Sequence, residues 1–290
     1  MSNDTASQQL FSKIYNQPQA LEAVQNYIKQ HERRILRYLS LCKAGRWELF
    51  FKKKPIEKLA LVYLYLPICK ANYEHRQIPD SIFFDTMDDI RIWIEDHRAR
   101  TGEWGLFELN WIQLHMQLQI FKLGRLQFQR TTYYCSPLYQ KGKVSIPFGS
   151  KVLNVHIPRG GALPPKACDA SFSLAETFFK EYYPDYPTNR FMCHSWLLYP
   201  ENAKFMKPDS NILQFAKRFD CVASMENPAQ AYLWLFGQKV NGLALLRARK
   251  RHSTYGDTSL LPQTTSLQMA AVRHIENGGK LGDTMGVYLR

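Results

Sequence analysis

The chain has 290 residues, 45% of them hydrophobic, which supplies a core for one large domain or two packed modules and excludes a largely disordered polymer. Its formal net charge of +13, from 38 basic and 25 acidic residues, implies anionic partners in a general way. The basic runs, Lys52-Lys53-Lys54 and residues 247–251, lack the interleaved aromatics and glycines of an RNA-binding surface. They read as a solvated face or a phosphate-attracting rim, and nucleic acid is not the expected partner.

In chain order, the first fifteen residues start polar and lack the basic flank, apolar run and small-residue cleavage site of a secretory signal, so a cytoplasmic location is expected. Pro18 suits a first helical turn, and Leu21, Val24, Ile28, Ile35 and Leu39 recur at helical spacing, predicting one amphipathic helix over residues 18–42 that Gly45 ends. A second helix begins near Pro55 with Leu59, Val62, Tyr63 and Leu66 on one side, and Pro67 should kink or divide it. The apolar run from Leu59 to Cys69 falls short of the ~18 residues of a membrane span, so no membrane is expected. Asp85 and Thr86 offer caps to a helix burying Ile90, Trp93 and Ile94, with His97 in a surface role on its last turn. Leu109, Ile112, Met116, Ile120 and Leu123 form the stripe of a further helix that Gly124 stops.

At Gly124 the period changes. Leu126 and Phe128 alternate with Gln127 and Gln129, and turn signals at residues 141–143 and 147–150 make residues 125–158 a small antiparallel meander. A strand at residues 152–158, a glycine turn Arg159-Gly160-Gly161, a helix of about seventeen residues and a strand at residues 190–200 follow. Ser210 or Asp209 caps a helix to about Phe219, residues 220–225 read as a strand, and Asn227-Pro228 opens a short helix that Gly237 closes. A last helix carries Leu267, Met269, Ala270 and Ile275 and ends at Gly278-Gly279. The fold class is α+β, a helical N-terminal domain over residues 1–124 followed by a mixed domain over residues 125–290.

Six cysteines without a CxxC pair or shared histidine spacing predict reduced, mostly buried thiols and no metal site. His252 and Asp257 match the HxxxxD spacing of glycerolipid acyltransferases, but a match of that length arises readily by chance and its context is loop-like. No Gly-x-Ser-x-Gly elbow, P-loop, dinucleotide fingerprint or HExxH is present, which removes the usual support for hydrolase, NTPase, dehydrogenase and zincin readings.

Four separated blocks carry a resemblance: IFKLGRLQFQR (120–130), VLNVHIPRGGAL (152–163), CHSWLLYP (193–200) with Ser210-Asn211-Ile212, and LPQTTSLQ with GGKLG near the end. With DTMDDIRIWIEDH (85–97) and TGEWGL (101–106), the chain resembles the GNAT-like acyltransferase family of bacterial proteins, which joins an N-terminal N-acyltransferase helical domain to a GNAT-like C-terminal domain. The resemblance implies a mixed, mostly antiparallel sheet flanked by helices, splayed between two central strands that admit the pantetheine arm of acyl-CoA. Those strands map onto residues 152–158 and 191–198. It also implies that acetyl-CoA or another acyl-CoA is the co-substrate, with its pyrophosphate cradled after the first of these strands by Ile157, Arg159, Gly160 and Gly161 and by the helix beginning near Pro165. The usual Arg/Gln-x-x-Gly-x-Gly/Ala signature is absent, and Pro164 and Pro165 remove two amide donors from that cradle.

Transfer of an acyl group, expected to be acetyl, to an amine needs a base, a donor aimed at the thioester oxygen and an acid for the leaving thiolate. His156 and His194 are the candidate bases, Tyr199 and Tyr232 the candidate acids, and a backbone amide near His156 or Ile157 the candidate oxyanion donor. Strand alternation puts Cys193 and Ser195 on the face opposite His194, which argues against a Cys-His dyad. The acceptor is expected to be the amine of a small molecule or peptide, and a homodimer is the base-rate expectation for assembly. The alternative is a non-catalytic GNAT-like module that binds a ligand or a protein.

Overall fold

The computed structural model describes residues 2–135, 146–237 and 258–290. The basic run at 247–251 and the His252/Asp257 pair lie outside the described residues. The chain divides into two compact units, the first of Met1–Gln129 with Ile157–Gly160 and the second of Arg130–His156 with Gly161–Arg290.

The first unit is built from α1 (Ser2–Ile14), α2 (Pro18–Gln30), α3 (Glu32–Lys43), α4 (Pro55–His75), α5 (Asp80–Thr101), α6 (Leu109–Met116) and the strand β1 (Ile120–Leu123). Its centre is α4, where Leu59, Ala60, Leu61, Val62, Tyr63 and Leu66 are all fully buried. A helix apolar all round is stable only as a core helix, and each of its large side chains contributes about 1.5–3 kcal/mol on burial. Phe11 of α1 meets Tyr63 edge-on at 5.6 Å between ring centroids. Pro55 sits in the first turn of α4, and Glu57 reaches back to accept from the Lys54 N–H at 3.2 Å, so the helix start is satisfied locally.

Five expectations for this unit are corrected. The helix expected over residues 18–42 is two helices, because His31 leaves helical geometry at φ −129°, ψ 24°. Pro67 does not divide α4. The third helix starts at Asp80, five residues before the expected caps, and Thr86 is buried, its hydroxyl accepting from the Lys122 N–H at 3.0 Å. His97 is buried rather than exposed, with Nδ1 2.9 Å from the Glu103 carbonyl oxygen and its ring 4.4 Å from that of Phe107. The stripe assigned to one helix also breaks: α6 ends at Met116, and Ile120–Leu123 is a strand that pairs antiparallel with residues 126–129 around Gly124, whose φ of +70° fits the tight turn.

The sheet has six strands in the order β1-β2-β3-β4-β6-β5, where β2 is Leu126–Thr132, β3 Lys151–His156, β4 Arg190–Ser195, β5 Asp220–Met225 and β6 Asp283–Leu289. In the second unit, β3 leads through α7 (Pro165–Tyr182) to β4, and the two strands are parallel. A helical crossover is the connection that parallel neighbours require. Cys168, Phe172, Ala175 and Phe179 form the buried stripe of α7, and Phe172 packs edge-on against Phe191 of β4 at 4.9 Å. β6 pairs antiparallel with both β4 and β5, so the C-terminal strand lies inside the sheet. It follows the Gly278-Gly279 turn in a stretch with no strand expectation. The strand expected over residues 190–200 ends at Ser195 and continues as short 3-10 turns at Trp196–Leu198 and Pro200–Lys204. The helices α8 (Asn211–Ala216), α9 (Ala229–Phe236) and α10 (Ser266–Glu276) stand where the capping signals put them; Ser210 Oγ accepts from the Leu213 N–H, and Thr265 Oγ1 from the Gln268 N–H. Among the described residues no helix is long and apolar enough to cross a membrane, and no group of three His, Cys, Asp or Glu side chains is placed to hold a metal ion.

Candidate active site

The site is set by where β3 and β4 stop pairing. Leu153 pairs with Phe191 and Asn154 with Met192, and no pair follows, although β3 continues to His156 and β4 to Ser195. Pairing thus ends short of the C-terminal ends of both strands, the end at which ligands enter open α/β sheets. His156 and His194 occupy the positions two residues beyond the last pair, one on each strand.

Both histidines lie on the same face. Val152 and Met192 belong to a core cluster with Met285, Val287, Tyr133 and Cys135, while Phe191 points the other way, towards α7. Alternation then puts Asn154 and His156 on the face of Val152, and His194 on the face of Met192. That face is apolar at Val152 and Met192 and becomes polar from Asn154 to His156 and at His194. Asn154 is buried, and its Nδ2 lies 3.1 Å from His156 Nε2. Cys193 is on the α7 side as expected; burial pushes its thiol up to about 12, so it is no nucleophile at neutral pH.

His194 has a partner that sequence reasoning missed. Its Nε2 stands 3.0 Å from Asp283 Oδ1, and its side chain is 31% exposed while that of Asp283 is 3% exposed. The second carboxylate oxygen accepts from Asn227 Nδ2 at 2.9 Å. Asp283 sits two residues before Met285, the register partner of His194, and so shares its face. The signal was present as the alternation of Asp283, Met285 and Val287, but an aspartate opening a short strand is also an ordinary strand boundary. Tyr134 is half-exposed; its phenol is pushed up first by burial of the hydroxyl and then by Cys193 and Asp283, which puts it in the same electrostatic neighbourhood.

Tyr199 follows the first 3-10 turn and packs against Gly282, next to Asp283. A Cβ on Gly282 would overlap the Tyr199 ring and the Met225 carbonyl oxygen. Gly282→Ala is therefore expected to destabilise the protein by about 1–3 kcal/mol through overpacking, read as a lower urea midpoint with an unchanged slope. Tyr232 is buried in α9.

Ile157, Arg159 and Gly160 belong to the first unit, and Gly161 opens the second. Arg125 Nη1 donates to the Pro158 carbonyl oxygen at 3.0 Å. The Arg159 guanidinium pairs with Asp96, which it shares with Arg100, and lies 5.3 Å from the centre of the Trp93 ring. Gly160 has φ +86° and Gly161 φ +154°, with open space where a Gly160 Cβ would stand. Helix α7 begins at Pro165 with Pro164 as its N-cap, so its N-cap and first residue lack amide donors, as the sequence implied.

Residues 4–118 match the model of the N-acyltransferase N-terminal domain, and residues 120–288 match that of the GNAT-like C-terminal domain. The chain belongs to the GNAT-like acyltransferase family. No curated protein matches it. A solved structure of an acyltransferase in complex with decanoyl-CoA and teicoplanin is similar at 26% identity with a TM-score of 0.63, covering 79% of this chain and 65% of that one. This chain thus spans 65% of that relative's length. An acyltransferase mutant in complex with octanoyl-CoA is similar in fold, at 20% identity, a TM-score of 0.71 and coverage of 99% of this chain and 88% of that one. The helical N-terminal region followed by a mixed sheet with flanking helices is the layout that the resemblance implied.

Proposed function

We propose that this family member is an acyl-CoA-dependent N-acyltransferase that moves an acyl group from the CoA thioester to an amine of a small molecule or peptide by direct attack. The observation that carries this reading is the placement of His156 and His194 on one face, each two residues past the last β3–β4 pair; in this reading an extended pantetheine arm enters between the two strand ends. In this reading His194 takes the amine proton, His156 borders the thioester, the Ile157 amide donates to its oxygen, and Tyr199 belongs to the wall of the site. The backbone at Arg159, Gly160 and Gly161, with the first turn of α7, holds the pyrophosphate. The Arg159 side chain is held by Asp96, which it shares with Arg100, so its main chain is what borders the turn.

A purified sample mixed with acyl-CoA and a panel of amines should release free thiol in proportion to amide product. Tight acyl-CoA binding with no thiol release under any amine would favour a non-catalytic binding module. The acetyl group expected from the sequence and the octanoyl and decanoyl groups in the relatives' structures are separated by comparing the three thioesters in this assay. That one relative holds decanoyl-CoA and a second compound together supports an acceptor that binds alongside the acyl donor.

The cradle has its own test. Gly160→Asp should weaken acyl-CoA binding by about tenfold or more, from like-charge repulsion of ~1–4 kcal/mol close to the phosphates. Gly160→Asn carries the same backbone strain without the charge and should lose much less; calorimetric titration of both variants checks it. Equal losses would remove the phosphates from this turn.

A further inference from the structure

The His194–Asp283 pair bears on which ring nitrogen handles the proton. Asn227 is held from two sides, for its backbone N–H donates to the Met225 carbonyl oxygen at 2.9 Å and its Oδ1 accepts from the Ala229 N–H at 3.3 Å at the start of α9. That backbone donor assigns the amide orientation: the carbonyl end faces Ala229, so the NH2 end is the one that faces Asp283. The NH2 donates to Asp283 Oδ2 at 2.9 Å, leaving Oδ1 turned to His194 Nε2 at 3.0 Å. Asp283 is nearly inaccessible, and Thr284 beside it is tied to Ser224 through a 2.7 Å hydroxyl contact, so the carboxylate has little freedom to turn away. A carboxylate only accepts, so the atom of His194 that faces it carries the hydrogen.

We propose that Asp283, oriented by Asn227, is a positioning residue that holds neutral His194 in the Nε2–H tautomer and thereby makes Nδ1 the base of the acyl transfer. This rests on the acyltransferase reading above. As the amine nitrogen bonds to the thioester carbon, its proton passes to Nδ1, and the imidazolium so formed is stabilised by the Asp283 carboxylate. The carbon–sulfur bond then breaks and the Nδ1 proton leaves with the thiolate, so that amide and free CoA are released and His194 returns to neutral. Asn227 plays no part in the proton movement; its role is to keep Oδ1 on Nε2.

The tautomer is read directly by 15N NMR of histidine-labelled wild-type protein at a pH where His194 is neutral, with His194→Gln assigning the signal. A protonated Nε2 and a bare Nδ1 are expected; the opposite tautomer would overturn the proposal, whether or not an acceptor is known. In turnover, Asp283→Asn is expected to lower kcat at least about 10²-fold, with KM for acyl-CoA within about twofold and a shift of the His194 proton towards Nδ1. Asn227→Ala, which leaves the carboxylate in place, should give a smaller fall in kcat and a mixture of tautomers. Wild-type kcat in Asp283→Asn with intact acyl-CoA binding would also overturn it. A wild type that binds acyl-CoA yet turns over no amine would instead defeat the acyltransferase reading, and the NMR result would still decide the tautomer.

Discussion

His194→Ala is expected to lower kcat by about 10²–10⁴-fold, the usual contribution of a positioned general base, while acyl-CoA affinity stays within about twofold. His194 is partly exposed on the C-terminal turn of β4, two residues past the last β3–β4 pair, so its removal leaves the apolar pairing region of Val152, Met192 and Val287 untouched. The same substitution at His156 separates the two candidates. Its ring contacts Asn154 on its own strand, and His156→Ala is expected to act mainly on KM if the ring borders the thioester rather than taking a proton. Steady-state kinetics on the two variants, with thermal melts to confirm folding, decide the assignment; a fall in kcat at His156 with none at His194 would reverse the roles.

The second large effect concerns stability of the first unit. Asp89 is buried on α5, and its carboxylate accepts from Trp111 Nε1 and stands 3.2 Å from Nε2 of the fully buried His115. Burial alone would raise its pKa, but His115, Trp111 and Gln127 together hold it below the usual carboxylate range. Asp89→Ala removes one partner of a buried pair and is expected to cost about 3–5 kcal/mol. The sign with pH follows from the lowered value. A carboxylate with a depressed folded pKa contributes its stability above its unfolded pKa and loses it as pH falls through the folded one. The difference in urea midpoint between wild type and Asp89→Ala should therefore be large at neutral pH and shrink below about pH 4. A difference that stays constant down to about pH 2 would show that packing, not charge, dominates at this position.

Where the chain itself carries the donor or acceptor that ends a helix, the sequence located the element. Pro55, Ser210, Asn227-Pro228 with Gly237, and the Gly278-Gly279 stop all mark boundaries within a residue or two of the structure, because capping involves partners only a few residues apart. The strand–turn–helix–strand order at residues 152–195 was legible for the same reason, as was the placement of Cys193 opposite His194, which needs only the two-residue period. Tertiary structure decided the rest. Ile120 and Leu123 satisfy both a helical stripe and a fully buried strand, and only pairing with residues 126–129 selects the strand. The break at His31 carries no proline or glycine, and α2 and α3 each bury their own residues on either side of it. The carboxylate partner of His194 lies 89 residues away on a strand that is internal to the sheet only because β4 and β5 flank it. Local chemistry thus located the elements whose ends are capped locally; which carboxylate faces which histidine nitrogen is a consequence of sheet register, a long-range property that no local pattern encodes.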